Sequence, residues 1–445
     1  MRTTTLRPIA ALIASAAALA ACGEQGGDPA RQYGADPYLP EPHQYLLPPM
    51  SVPKEIGWKT GEKPVVTAGL EIEALATGLA HPRSVYCLPN GDILVAETNS
   101  PGTEAYRPKD FIAGKVKARA GAATQGGNRI ILLRGATADG QPALRTVFID
   151  HLHSPYGIAL VGDTLYVANT DAILAFAYVT GMTQITSPGV KIADLPAGPI
   201  DHHWTKSMTA SADGSKLYVG VGSNSNITEN GIGAEYERAA IWEVDRATGA
   251  HRIFASGLRN PNGLTWEPQT HALWAVVNER DELGPNLVPD YMTSVKDGGF
   301  YGWPYSYFGQ HLDPRVQPQR PDLVAKAIVP DYALSSHVAP LGLVFDTGDG
   351  LPAHYTGGAF VGEHGSWDRP VLNGYKVVFV PFTDGKPSGT AEDVVTGFLD
   401  SRGNAHGRPV ALGLDKTGAL LIADDVGNTV WRVTSATRAQ AANTR

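Results

Sequence analysis

The sequence predicts an all-β protein, a six-bladed β-propeller. Three observations lead there. First, Gly (50) and Pro (33) are frequent in a chain of 445 residues, which favours short strands joined by dense turns over long helices. Second, one phrase recurs six times: a turn, usually containing glycine with Asp or Asn, then a short β-rich run ending in small or polar residues. Third, a run of similar register precedes most of these. Strand, turn and strand repeated over about 370 residues suits a ring of four-stranded blades, each too thin to bury both faces without its neighbours. Two packed sandwiches would not repeat one phrase six times.

The elements follow in order. Arg2 and Arg7 lead into an apolar stretch from Ile9 to Ala20, too short to span a bilayer as a mature helix. It ends in Leu19-Ala20-Ala21-Cys22, which looks like a bacterial lipobox, so residues 1–22 are expected to be a lipoprotein signal peptide and Cys22 the lipidated first residue. Gly23 rather than Asp follows, which favours retention at the outer membrane, facing the periplasm. Residues 23–65 read as a tether and extended lead-in, residues 66–436 as the propeller, and 437–445 as a flexible tail. The repeats begin with Ile93-Leu94-Val95-Ala96-Glu97 after Asn90-Gly91-Asp92. Leu165–Asn169, Leu217–Gly222, Leu273–Asn278, Ala359–Glu363 and Leu420–Asp425 continue the series. Ring closure is expected between Val426–Val433 and an early strand near Val65–Leu75. Long insertions at about 99–128, 223–240 and 278–330 are where a site would be built.

Composition excludes several classes. Losing residues 1–22 removes two of the 36 basic residues and none of the 44 acidic ones, leaving a net charge of −10 and no basic patch for nucleic acid. Cys87 then has no partner, which rules out a disulfide scaffold. There is no EF-hand loop, zinc spacing, Gly-x-Ser-x-Gly elbow or dinucleotide fingerprint.

The polar residues at the strand mouths carry the chemistry. Asp201-His202-His203-Trp204-Thr205-Lys206 enters the third repeat, and a neutral His there suits proton abstraction. The bland alternative is a polar loop. Arg259 and Asn260, in Gly257-Leu258-Arg259-Asn260-Pro261-Asn262-Gly263, offer donors for a carboxylate or a developing oxyanion. Arg408 occupies the same place in the sixth repeat, so the two arginines point to one axis and a shared anionic ligand rather than two unrelated ion pairs. His337, Glu363–Arg369, Asp424-Asp425, Asp281 and Glu282 gather at other mouths, and carboxylates with turn carbonyls suit Ca²⁺.

Taken together, Gly257–Gly263, Gly299-Phe300-Tyr301-Gly302-Trp303-Pro304, Gly362-Glu363-His364-Gly365-Ser366-Trp367 and Leu165–Ala172 resemble the sorbosone dehydrogenase family, which is similar to the soluble quinoprotein glucose dehydrogenases. The resemblance runs from about residue 66 to 434. It implies a propeller that holds pyrroloquinoline quinone with Ca²⁺, oxidises an aldose or sugar-derived aldehyde, and passes electrons to an acceptor other than oxygen, with cytochrome or quinone pool left open. It implies His202 or His203 as the base, without deciding between them. Lys206 stands where the family usually has Arg. Arg259, Asn260 and Asn262 are implied to line the quinone, His364 and Arg408 to meet it, and the turn Gly284-Pro285 to offer carbonyls to Ca²⁺. Two rival readings use the same ring. One is a Ca²⁺-dependent sugar lactonase with Asn99, Asn169, Asn278 and Glu363 around one metal; the other is a non-catalytic binding propeller.

Overall fold

The structure, a computed structural model, describes residues 29–45, 50–101, 126–136, 141–198, 200, 202–348 and 350–437. The signal segment with Cys22, most of the first insertion, and Asp201 lie outside the described residues. Among the described residues no helix is long and apolar enough to cross a membrane.

Six sheets form six blades, as the repeats predict, antiparallel except where Gly299–Phe300 adds a short parallel strand to blade 3. Their innermost strands are Pro82–Cys87, Gly157–Val161, Met208–Ala210, Pro261–Trp266, Pro340–Phe345 and Pro409–Leu414, each touching the next around a closed ring. The recurring β-rich runs are the second strands: Ile93–Glu97, Thr164–Ala168, Lys216–Val221, Leu273–Val277, Ala359–Glu363 and Leu420–Asp424. They are apolar through their middles because both of their faces are buried, and charged residues such as Glu97, Lys216, Glu363 and Asp424 stand only at their ends. Alternation assigns the faces. In blade 1, Leu94 and Ala96 pack toward Ile158 and Leu165 of blade 2, while Ile93 and Val95 pack toward Leu421 and Val430 of blade 6. The same division gives one apolar layer between every neighbouring pair of blades.

Blade 6 closes the ring. Its outermost strand is Leu70–Ala76, from the start of the propeller, paired antiparallel with Thr429–Ser435 from its end. The lead-in is partly built into the ring. Tyr33–Gly34 adds a fifth strand to blade 4 beside Tyr332–Ser336, and the Trp58 indole donates to Asp424 Oδ2 at 2.7 Å.

The channel inside the innermost strands holds a cavity of about 430 Å³, lined mainly by apolar residues such as Ile158, Leu264, Leu343 and Leu412. At the end where the inner strands begin, Tyr156 of blade 2 reaches across to blade 5, its hydroxyl donating to the Leu341 carbonyl at 3.4 Å. Packed with Leu341 and Val410, it lines the cavity at this end.

Candidate active site

The mouth is made by residues just before each inner strand and just after each second strand. Arg259 and Arg408 immediately precede the inner regions of blades 4 and 6 and lie on this one face. Both guanidinium groups are held by main-chain carbonyls. Arg259 donates to the carbonyls of Asn226 (3.2 Å), Asn278 (3.2 Å) and Glu279 (2.7 Å), and to Asn226 Oδ1 (2.9 Å), with Asp281 Oδ2 at 3.5 Å. Arg408 donates to the carbonyls of His364 and Gly365, each at 2.9 Å. Each is a fixed positive charge set in the wall.

His203 lies beside Arg259's neighbour Asn260, since a side chain on Gly222 would collide with His203 Cβ and come within 2.6 Å of Asn260 Oδ1. His203 Nδ1 is 3.0 Å from both the carbonyl and the hydroxyl of Ser223. The carbonyl can only accept, and the hydroxyl spends its proton on the Ser225 carbonyl at 2.6 Å. Nδ1 must therefore carry the hydrogen, which leaves Nε2 as the acceptor nitrogen. His202 is exposed, with its ring 4.8 Å from that of His203. Lys206 is fully buried, and its ammonium donates to the Trp204 carbonyl at 3.1 Å, bracing the loop that carries both histidines. Asn262 is also buried. It accepts from Thr205 and Ser207 and so ties blade 4 to blade 3. Asn260 Oδ1 is buried with no hydrogen-bond partner, a deficit that a ligand in the mouth would relieve.

A second set of charges joins blades 1, 5 and 6. Asp425 accepts from Arg83 Nη1 at 2.5 Å and from His364 Nε2 at 2.9 Å, with His81 Nε2 at 3.4 Å. Burial would raise the Asp425 carboxyl, but the hydrogen bond from His364 and the Arg83 charge hold it well below the usual range. Burial and the Arg408 charge push His364 down to about 3, so its ring is neutral. Arg83 also lies over the Trp204 ring at 5.5 Å, which links this set to the histidine loop.

The third set surrounds the Gly284-Pro285 turn. The Gly284 carbonyl accepts from His337 Nε2 at 3.0 Å, and His337 Nδ1 lies 3.2 Å from Asp281 Oδ1. Pro285 is buried. Asp281, His337 and Asp368 place ligand atoms within 4.8 Å of one another. Burial opposes charge on His337, yet the hydrogen bond and charge of Asp281 raise it to about 9. Burial raises Asp368 to about 7. Glu282, Ser335, His337 and Ala339 all have positive φ (70°, 71°, 60° and 51°). Such backbone strain in non-glycine residues gathers where function over-determines the geometry.

The sequence marked most of these residues singly. It did not connect Asn226 to Arg259, Ser223 to His203, or His81 and Arg83 to Asp425. Those partners come from insertions and from neighbouring blades, which no local pattern links. Three residues of the lactonase set are bonded within the chain, while Asn169 Oδ1 and Glu363 Oε2 are buried without a hydrogen-bond partner. Glu363 is buried against the Tyr33 hydroxyl (2.8 Å), Asn278 donates to the Pro340 carbonyl (2.6 Å), and Asn99 caps the chain at Asn128 and Gly126.

Comparison with known proteins decides the family. The family described as TrAA12-like matches residues 64–290 and 320–436, most of the chain. The chain belongs to the TrAA12-like family. Residues 242–366 of this TrAA12-like protein also match the Glucose / Sorbosone dehydrogenase family, in agreement with the resemblance of its phrases. A protein of Borreliella burgdorferi described only as uncharacterised is 30% identical over 297 residues, 63% of this chain and 76% of that one. Among solved structures, the holo form of the pyranose dehydrogenase PQQ domain from Coprinopsis cinerea is 20% identical, with a TM-score of 0.69 over 86% of this chain and 100% of that chain. A calcium structure of the Trichoderma reesei carbohydrate-active enzyme of family AA12 is 19% identical, with a TM-score of 0.67 over 84% and 97%. The PQQ-bound aldose sugar dehydrogenase of Streptomyces coelicolor is 14% identical, with a TM-score of 0.53 over 83% and 99%. All three share the propeller fold.

Proposed function

We propose that this protein is a sugar oxidoreductase that works with pyrroloquinoline quinone and a divalent cation, Ca²⁺ in the family resemblance, and that His203 is its base. The observation that carries the proposal is the His203 tautomer: Nδ1–H is pinned on Ser223, which makes Nε2 the nitrogen able to accept a proton. The residues present suit the quinone. A flat anionic ring finds two fixed guanidinium charges, Arg259 and Arg408, on one face, and the orphaned Asn260 Oδ1 awaits a donor. The residues also suit a cation, since the Gly284 carbonyl and the Asp281 and Asp368 carboxylates gather oxygen donors beside Arg259.

When bound, the quinone would supply a two-electron acceptor for the sugar's hydride, and the cation Lewis-acid charge stabilisation. The chain's own part is positioning and proton transfer. His203 Nε2 takes the hydroxyl proton of an aldose or hydrated aldehyde. The Ser223 contacts keep the imidazole from rotating, and the imidazolium that forms keeps its Nδ1–H on the same acceptors. Lys206 steadies the loop through Trp204. Arg259 provides a charge that needs no reorganisation, because main-chain oxygens already fix its plane. The names of the similar structures, which include PQQ domains, an AA12 enzyme with calcium and aldose sugar dehydrogenases, support this reading.

Reconstitution tests it. Purified protein is mixed with the quinone and Ca²⁺, the visible spectrum is recorded, and a panel of aldoses is assayed with a dye acceptor. A quinone spectrum perturbed on binding together with dye reduction is the expected result. Failure of both would overturn the proposal.

A further inference from the structure

We propose that Glu55 and Trp367 form a saccharide subsite on the rim of the mouth between blades 5 and 6. Glu55 accepts hydroxyl hydrogens from the part of the sugar that does not react, and the Trp367 indole covers an apolar face of its ring. The inference rests on the sugar substrate of the proposed function and deepens it, since neither residue has a part in the quinone, cation or proton handling described above.

Three features of the chain carry it. The first is placement. Glu55 lies on the lead-in, which pairs with the segment just ahead of blade 6. The Ala405 amide donates to the Lys54 carbonyl and the Ile56 amide to the Ala405 carbonyl, each at 2.8 Å. The lead-in is fastened on both sides of Glu55. Before it, the Ser51 amide donates to the Trp367 carbonyl at 3.1 Å. After it, Trp58 reaches Asp424 and stacks on His406, with ring centroids 4.9 Å apart. Arg408 joins the two proposed residues. It follows Ala405 by three residues, and its guanidinium donates to the carbonyls of His364 and Gly365 in the loop that carries Trp367. A strap anchored in this way holds a carboxylate at a set position.

The second is an unmet demand. Glu55 is half-buried, and its Oε1 is buried with no hydrogen-bond partner among the described residues. The charges around it do not supply one. Asp425 is a like charge, and the Arg408 guanidinium is already turned to the His364 and Gly365 carbonyls. Burial and the Asp425 charge raise the Glu55 carboxyl above its ordinary range, with Arg408 opposing them. A buried oxygen without a donor is costly. Arg408 and Arg83, which is 2.5 Å from Asp425, disfavour a metal cation beside it. A neutral donor, such as a ligand hydroxyl, meets the need without adding charge.

The third is the indole. Trp367 is 38% exposed, although its neighbours Ser366 and Asp368 are only 1% and 3% exposed. Its main chain is fixed by Ser51, so the ring is apolar area held in place and still open to a ligand. A cyclic sugar matches both residues at once, with a C–H face for the indole and a hydroxyl edge for the carboxylate. A wholly apolar ligand would leave Glu55 unmatched.

The test uses the full chain free of quinone, which binds but cannot oxidise. Methyl glycosides of common aldoses are titrated against it by isothermal titration. The expected result is saturable binding of at least one glycoside, weakened about tenfold or more by Glu55→Gln and by Trp367→Ala, with Trp367→Phe retaining more than Trp367→Ala. A deoxy glycoside lacking the hydroxyl that Glu55 accepts should bind weakly and should not respond to Glu55→Gln. In the quinone-loaded protein, both variants should raise KM by a similar factor and lower kcat much less. The urea midpoint of Glu55→Gln should not fall, because nothing in the fold depends on that carboxylate oxygen. A fallen midpoint, no glycoside bound by the unsubstituted protein, or unchanged affinity in both variants would overturn the proposal. The two readings fail separately. Glycoside binding sensitive to both substitutions, without sugar oxidation on reconstitution, would sink the proposed function alone. Quinone-dependent oxidation with KM unmoved in both variants would sink the subsite alone.

Discussion

Replacing Asp425 by Asn removes one charge that three blades share. Its carboxylate accepts from Arg83 of blade 1 at 2.5 Å and from His364, which follows the second strand of blade 5, at 2.9 Å, with His81 at 3.4 Å. Asp425 and Arg83 are 2% and 8% exposed, so screening by water is weak. The amide keeps the volume and one acceptor but leaves the guanidinium of Arg83 buried without a counter-charge, beside a mouth that already holds Arg408. Orphaning one member of a buried pair costs about 3–5 kcal/mol, and we expect a loss in that range. Urea denaturation followed by tryptophan fluorescence should show a lower midpoint with an unchanged slope. Arg83→Met in the Asp425→Asn background should recover part of the loss, because the stranded charge is then gone. A single-variant loss below about 1 kcal/mol, or no recovery in the double variant, would refute the idea that charge pairing across blades fastens this rim.

Other outcomes follow from the same contacts. His203→Ala should cut turnover by about 10²–10⁴-fold with quinone binding retained, while His202→Ala, at an exposed ring, should cost far less; equal losses would move the base. Gly222→Ala should push His203 and Asn260 apart, lowering turnover and costing about 1–3 kcal/mol of stability, as read by dye reduction and urea melts. Trp58→Phe should lose about 1–2 kcal/mol, because it deletes the indole donor to the buried Asp424 carboxylate. With chelator present, His337 should make stability depend on pH. Its folded value, about 9, lies above the ordinary 6.5, so its contribution is complete below pH 6.5 and is lost as pH rises through 9. His337→Gln should flatten urea midpoints across that window.

Much of the fold was legible because the second strands announce themselves. A strand buried on both faces is apolar through its middle, and Val95, Val167, Val219, Ala275, Val361 and Ile422 sit at matching places in six such runs, each turned toward the preceding blade. Closure between the first and last strands was legible because the ring leaves no other partner for them. The lead-in was less so. Nothing local in Gln32-Tyr33-Gly34 says that it will pair with blade 4, where Gln32 donates to the Asn286 carbonyl and Tyr33 bonds Glu363. The site was legible as a set of residue types. Arg259, Asn260, His203 and Arg408 all lie on the mouth. Their roles were not, since the guanidinium of Arg259 is aimed by Asn226 from one insertion and Asp281 from another. Lys206 turned out to brace a loop from within the core, an orientation fixed by burial that spacing does not encode. Tyr156 gave no signal at all, because crossing the channel depends on the ring's diameter.

The pairing of Leu70–Ala76 with Thr429–Ser435 has a consequence for how the protein is made. The first strand of the ring leaves the ribosome early and must wait, edge exposed, for the last. Until then the nascent protein is an open arc with apolar flanks at both ends, and the mouth that gathers Arg83, His364 and Asp425 does not exist. Maturation is therefore a terminal event of synthesis. A premature stop a few residues short of Ser435 would leave five complete blades and forfeit the whole molecule.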